Sequence, residues 1–241
     1  MKLLHIVTLF VFISTQFKAF SHSFEVPRFE ATSPNCTVDC VVPFGDFIGS
    51  SREVKAYSNC NSSCIYKNAT EGITFLAKDT GLSSDVWIGI PWQCVEYARR
   101  WVLQNQNIVI HSVDSAFEIW NQNETKDLLN NKNLYFDNFV NGNSTPPAEG
   151  DILIYGKSSE LHYGHVAIIV NVDLENLFVD IAEENYQNKK WENTNLYSRR
   201  VILNHENNTY YITDLSYETK EKYFKNDDVN IIGWKRLIKN I

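Results

Sequence analysis

No stretch of this 241-residue chain approaches the ~18 consecutive apolar residues of a membrane span, so the protein is expected to be soluble, with no membrane partner. Positive charge is in deficit as well: 22 Lys and Arg stand against 29 Asp and Glu, a formal charge of −7. A chain that acidic lacks the electrostatic footprint for nucleic acid or an anionic lipid surface, and would attract cationic ligands instead. Internal repeats and low-complexity blocks are absent, which excludes a solenoid or a fibrous array. Cysteine is scarce, with five in all. They are unevenly placed, with Cys94 standing apart from the other four.

The first 21 residues read as a cleavable secretion signal. Lys2 precedes an apolar run from Leu3 to Phe12, and Ala19-Phe20-Ser21 places small residues where a signal peptidase reads. Removal of residues 1–21 takes away Lys2 and Lys18 and no acid, so the charge moves from −7 to −9. The expected location is extracellular or the endolysosomal lumen. Asn-x-Ser/Thr sequons at Asn35, Asn61, Asn68, Asn123, Asn143 and Asn207 fit a secreted glycoprotein.

Residues 22–80 are rich in Ser, Asn, Thr and Pro and show no sustained period; they read as a disulfide-pinned, loop-rich segment packed on a main domain spanning 81–241. Cys36, Cys40, Cys60 and Cys64 form two C-x3-C pairs. Four thiolates in that form can hold zinc, but an exported chain favours disulfides, so no metal is expected. Three pairings remain open. Cys94 is left over, which marks it as a reactive thiol rather than a structural one.

Ile90 to Val102 reads as a helix that begins at Pro91 and places Cys94 in its first turn. There the unpaired N–H groups and the positive end of the helix dipole favour thiolate over thiol. Cys94, Ala98 and Trp101/Val102 share a stripe, whereas Glu96 and Arg100 form a weak supporting pair on another face. A second helix is expected over Val113 to Trp120, with Asp114 in its first turn, and a short third one around Thr125 to Asn130, followed by surface loop as far as Pro147.

Strands are expected at 151–155, 164–170, 177–183, 199–204, 210–213 and 231–237. Helices first and antiparallel strands after read as an α+β fold with about six strands. His165 opens the second strand. Alternation puts Ile181, Glu183 and Asn185 on one face of the next, with Glu184 on the other, so an imidazole and a carboxylate or amide can meet. A cysteine nucleophile needs that arrangement: a histidine to move the proton and a third group to fix the ring.

These blocks, Trp92-Gln93-Cys94-Val95-Glu96-Tyr97-Ala98-Arg99-Arg100, Gly150-Asp151, Gly164-His165, Ile181-Ala182-Glu183-Glu184-Asn185 and Ile232-Gly233-Trp234, occur in the order of the CHAP family, the cysteine, histidine-dependent amidohydrolases/peptidases. The resemblance covers about residues 82 to 238 and is nearest to the amidase domains of polyamine-conjugate synthetases. It implies a papain-like fold with Cys94 as nucleophile, His165 as base, and Glu183 with Asn185 supporting the ring. Gln93 would lie near the acyl oxygen, and Arg99 and Asp114 near the substrate. The expected activity is thiol-dependent hydrolysis of an amide or peptide bond, without cofactor. The expected substrate is a peptidoglycan stem or cross-bridge peptide, or else a glutathionyl-polyamine; a catalytically inactive binding module on the same fold is the alternative.

Overall fold

The computed structural model describes residues 26–31, 33–66, 72–76, 82, 84–215 and 231–238. The leader expected over residues 1–21, and Asn68 among the sequons, lie outside them. The chain forms β1 (Phe47–Ser51), β2 (Val54–Tyr57), β3 (Ile73–Phe75), β4 (Val86–Gly89), the helix α1 (Cys94–Gln106) and β5 (Ile108–Val109). After a 3-10 helix, Ala116–Asn121, come β6 (Glu124–Asp127), β7 (Lys132–Val140), β8 (Ile152–Tyr155), β9 (His165–Asp173), β10 (Phe178–Ala182), β11 (Arg199–Glu206), β12 (Thr209–Thr213) and β13 (Ile231–Ile238).

One antiparallel sheet of nine strands, in the order β12-β11-β10-β9-β8-β13-β7-β6-β5, dominates the molecule. Its middle strands are apolar on both faces because both faces are covered. Ile152, Ile154, Val166 and Ile168 pack in one core with Ala98, Trp101 and Val102 of α1. Leu153, Tyr155, Ala167 and Ile169 point the other way, into a second core with Val179, Ile181, Val201, Leu203, Ile212 and Trp234. The sheet curls to enclose that core. Gly142 and Asn143, just past β7, exchange backbone hydrogen bonds of 2.8 Å with Tyr210 of β12, and the Asn141 side chain bonds both the N–H and the C=O of Ile212. Each fully buried aliphatic side chain here contributes roughly 1.5–3 kcal/mol.

The six expected strands are all present, and the sheet is half as large again. The helical expectation is corrected. Among the described residues only α1 is an α-helix; Val113 to Trp120 yields one 3-10 turn, and Thr125 to Asn130 is strand β6 with the turn after it. The expected surface loop contains nine-residue β7, whose mostly exposed sequence Lys-Asn-Leu-Tyr-Phe-Asp-Asn-Phe-Val is held from both sides by backbone pairing to β6 and β13. The result is a mostly-β molecule, not a layer of helices on six strands.

The N-terminal segment is stitched into this body. Disulfides join Cys36 to Cys64 and Cys40 to Cys60, one nested inside the other. Ile48, Val54 and Ala56 of the β1–β2 hairpin belong to the core beneath α1. Strand β3 pairs with β4, so a hydrogen-bonded hairpin crosses the expected boundary at residue 80.

Candidate active site

Strand β4 delivers the chain to α1 through a tight turn. Trp92 takes a left-handed conformation, φ 65°, and is held by the rings of Tyr57, Phe29 and Phe44 at 4.3, 5.7 and 6.4 Å between centroids. Gln93 is extended, and the helix therefore begins at Cys94, three residues later than Pro91. The first hydrogen bond of the helix runs from the Tyr97 N–H to the Gln93 carbonyl. The N–H groups of Cys94, Val95 and Glu96 thus have no acceptor within the helix. Cys94 is a free, half-buried thiol at the first helical position.

His165 opens β9 after Gly164, whose φ of 67° turns the chain beside the 3-10 helix. A Cβ there would come within 2.6 Å of the Tyr155 carbonyl oxygen and 2.9 Å of Phe117 Cβ, so only glycine lets the strand start here. The imidazole is 1% exposed. Its Nε2 lies 2.8 Å from Glu183 Oε2, and Cys94 is near enough to act on the ring by its charge. With Nε2 occupied, the nitrogen that faces Cys94 is Nδ1. Burial opposes charge on the ring, but the charge of Cys94, and then Glu183, outweigh it and push His165 up to about 9.

Glu183, just past β10, is equally enclosed. Burial would raise its carboxyl, yet Arg199 and His165 hold it down at about 2. Arg199 donates from Nε to Oε1 at 2.5 Å and from Nη2 to Oε2 at 3.2 Å, and Ser198 Oγ adds a bond of 3.2 Å to Oε1. From Nη1 the same guanidinium reaches both oxygens of Asp214, at 2.8 and 2.7 Å. Asp214 in turn accepts from the Tyr155 and Tyr186 hydroxyls. A buried chain therefore runs from sulfur through His165, Glu183 and Arg199 to Asp214. Sequence reasoning reached its first three members; Arg199 and Asp214 carried no motif, only a place at strand ends.

The next residue has the opposite surroundings. Glu184 faces α1, where its Oε1 accepts from Arg100 Nη2 at 3.0 Å and from the Tyr57 N–H at 2.7 Å. Arg100 also grips Glu96 through Nε at 2.6 Å and Nη2 at 3.1 Å, and the Lys55 carbonyl through Nη1. The Glu96–Arg100 pair expected on a helix surface is in fact 1% and 0% exposed. Burial and the neighbouring Glu96 push Glu184 well above the usual carboxylate range, against the pull of Arg100.

Three expected site residues are placed elsewhere than at the ring or the acyl group. Asn185 has φ 54°, which breaks the strand alternation that would have aimed it at His165. Its Nδ2 donates instead to Gln93 Oε1 at 2.8 Å. Gln93 spends its own Nε2 on Asn59 Oδ1 and the Cys64 carbonyl, both at 3.2 Å, so neither donor faces the thiol. Arg99 follows Cys94 by five residues, about 140° round the helix. It is 5% exposed, with Nε on the Ile110 carbonyl at 2.8 Å and Nη1 on that of Ile88 at 2.5 Å. Two of its three nitrogens thus fasten β4 to the chain after β5.

Asp114 is exposed, and its N–H donates to Glu118 Oε2 at 3.2 Å. It precedes the 3-10 helix that adjoins Gly164, where the Phe117 N–H donates to the Tyr163 carbonyl at 3.4 Å. Asn35, Asn123 and Asn207 are exposed, while Asn61 and Asn143 are half-buried. Asn61 Nδ2 donates to the Asn35 and Val38 carbonyls, inside the disulfide bracket. Among the described residues no three His, Cys, Asp or Glu side chains converge as a metal site.

Residues 85–185 match the CHAP domain family. Over 174 residues the chain is 30% identical to "Trypanothione synthetase" of Crithidia fasciculata, covering 72% of this chain and 24% of that protein. Over 194 residues it is 30% identical to "Bifunctional glutathionylspermidine synthetase/amidase" of Escherichia coli, covering 80% and 29%. It thus spans under a third of the length of these relatives.

Proposed function

Since the chain carries a CHAP domain, we propose that it hydrolyses an amide bond by a thiol mechanism, with Cys94 as nucleophile, His165 as acid and base, and Glu183 as the residue that orients the ring. The observation that carries this reading is the position of His165, near enough to Cys94 for the two to interact electrostatically and hydrogen-bonded to an ionised, doubly clamped Glu183. A binding module would have no use for a buried imidazolium held against a half-exposed sulfur.

The sulfur attacks the amide carbonyl carbon, and the oxygen takes up the displaced electron pair. Unpaired N–H groups at the start of α1 stabilise that oxyanion; Gln93, with both amide hydrogens committed, does not. His165 gives its proton to the nitrogen as the C–N bond breaks, and the amine leaves. A water molecule then yields its proton to the neutral imidazole and adds to the thioester, and collapse of that adduct frees the acid and restores the sulfur. Glu183 keeps its charge throughout, as its position on Arg199 requires.

Two substrates divide on different observations. The relatives named for glutathionylspermidine favour an amide between a glutathione-like acid and a polyamine, and the acidic chain suits a cationic amine product. The two disulfides, together with the leader-like N-terminus, favour an exported enzyme, for which a peptide bond of bacterial peptidoglycan is the more accessible substrate. Incubation of pure protein with each, followed by mass spectrometry of the released amines, separates them. Cys94→Ala and His165→Ala should each lower turnover by about 10⁴-fold or more, with the melting temperature preserved. Full activity in Cys94→Ala would overturn the mechanism.

A further inference from the structure

The two halves of the site are not neighbours in the sheet. Cys94 stands at the start of a helix lying on one face, whereas His165 and Glu183 belong to β9 and the end of β10. The register of strands fixes His165 against Glu183 but says nothing about where the helix start lies. A cluster of side-chain amides bridges the gap, and its centre is Asn59 from the disulfide bracket.

Asn59 is fully buried. Its Oδ1 accepts from Gln93, the residue before the nucleophile, and its Nδ2 donates to Asn185, two residues after Glu183, at 3.1 Å. Gln93 and Asn185 bond each other, so the three amides close a ring. The same Nδ2 reaches the Asn61 and Cys64 carbonyls, both at 2.9 Å, and the Asn59 N–H donates to Asn188 Oδ1 at 2.9 Å. Cys60 and Cys64, which border this turn, are the C-terminal partners of the two disulfides. The hub is therefore anchored covalently on one side and grips both catalytic elements on the other.

We infer that Asn59 is a positioning residue for the reaction, setting Cys94 against the His165–Glu183 pair through Gln93 and Asn185, and that the disulfide bracket is a wall of the active site. This rests on the thiol mechanism proposed above. Loss of the hub leaves the strands in place and lets the helix start drift, and a misplacement of 1 Å costs about a hundredfold in rate.

The test is a double-mutant cycle on the full chain with Asn59→Ala and Gln93→Ala, read in three ways: kcat and KM on the amide that the wild type cleaves, the rate of Cys94 alkylation by iodoacetamide, and melting temperature. Asn59→Ala should lower kcat about tenfold or more, change KM less than twofold and slow alkylation several-fold, and the double variant should be no worse than the more damaging single one. Unchanged kcat and alkylation in folded Asn59→Ala, or fully additive losses, would overturn the inference. If Asn59→Ala does not fold, Asn59→Ser takes its place in the cycle under the same criteria. A wild type that cleaves no amide would sink the proposed activity, and the alkylation series would then decide the role of Asn59 alone.

Discussion

Glu183 and Glu184 are adjacent in the chain, both at most 3% exposed, and each is held by an arginine; yet one is driven down to about 2 and the other well above the usual range. Burial opposes the charge of both. What separates them is the count of partners. Glu183 meets Arg199 and the His165 imidazolium, two cations. Glu184 shares the single Arg100 with Glu96, and that second carboxylate cancels much of what the guanidinium supplies. An arginine beside a buried acid does not by itself keep it ionised; the balance of the whole enclosed cluster does.

The contrast can be broken by substitution. Glu183→Gln should cost the most, about a hundredfold or more in kcat, because the neutral amide no longer supports a charged ring in the orientation that Cys94 needs. Arg100→Met leaves Glu96 and Glu184 enclosed without a cation, and chemical denaturation should show a loss of about 3–5 kcal/mol. The alkaline limb offers a finer reading. His165 at about 9 implies that kcat/KM falls as pH rises through that value, when the acid for the leaving amine is lost. In Glu183→Gln, whose charge no longer favours the imidazolium, the limb should move to lower pH by roughly one unit or more. The smallest effect belongs to Glu184→Gln. Glu184 is already pushed towards its neutral form and its Oε1 only accepts hydrogen bonds from Arg100 and the Tyr57 N–H, which an amide oxygen can also accept, so kcat should stay within about twofold and stability within about 1 kcal/mol at pH 7. A loss in Glu184→Gln comparable with that of Glu183→Gln would erase the distinction.

Local pattern accounts for what was legible in the sequence. Apolar runs announced β8, β9 and β10 because burial on both faces leaves no polar alternation to confuse them, whereas β11 alternates buried and exposed residues, and the period of two placed His165 and Glu183 on a common face. Strand β7 escaped notice because its residues are mostly exposed and follow no clean alternation, and because β13, one of its two partners, lies far away in the chain. The start of α1 was misplaced for a similar reason: Pro91 is a good local signal, but the aromatic nest around Trp92 comes from residues 29, 44 and 57. Asn185 followed the alternation rule until a left-handed turn ended it. Arg99 and Gln93 looked like reagents because polar side chains beside a nucleophile usually are; here long-range carbonyls and amides claim them.

The closure of the sheet bears on how the protein behaves when crowded. An open sheet ends in two rows of unpaired peptide groups, each a template on which a second chain can lay a strand. In this molecule one end is β5, only two residues long, and the other, β12, has its outer row engaged by Asn141, Gly142 and Asn143. Strand-by-strand growth between copies therefore has little to start from, even though the cores on both sides of the sheet are among the most apolar parts of the chain. The three residues after β7 thus act as a stopper on polymerisation as well as a seam in the fold.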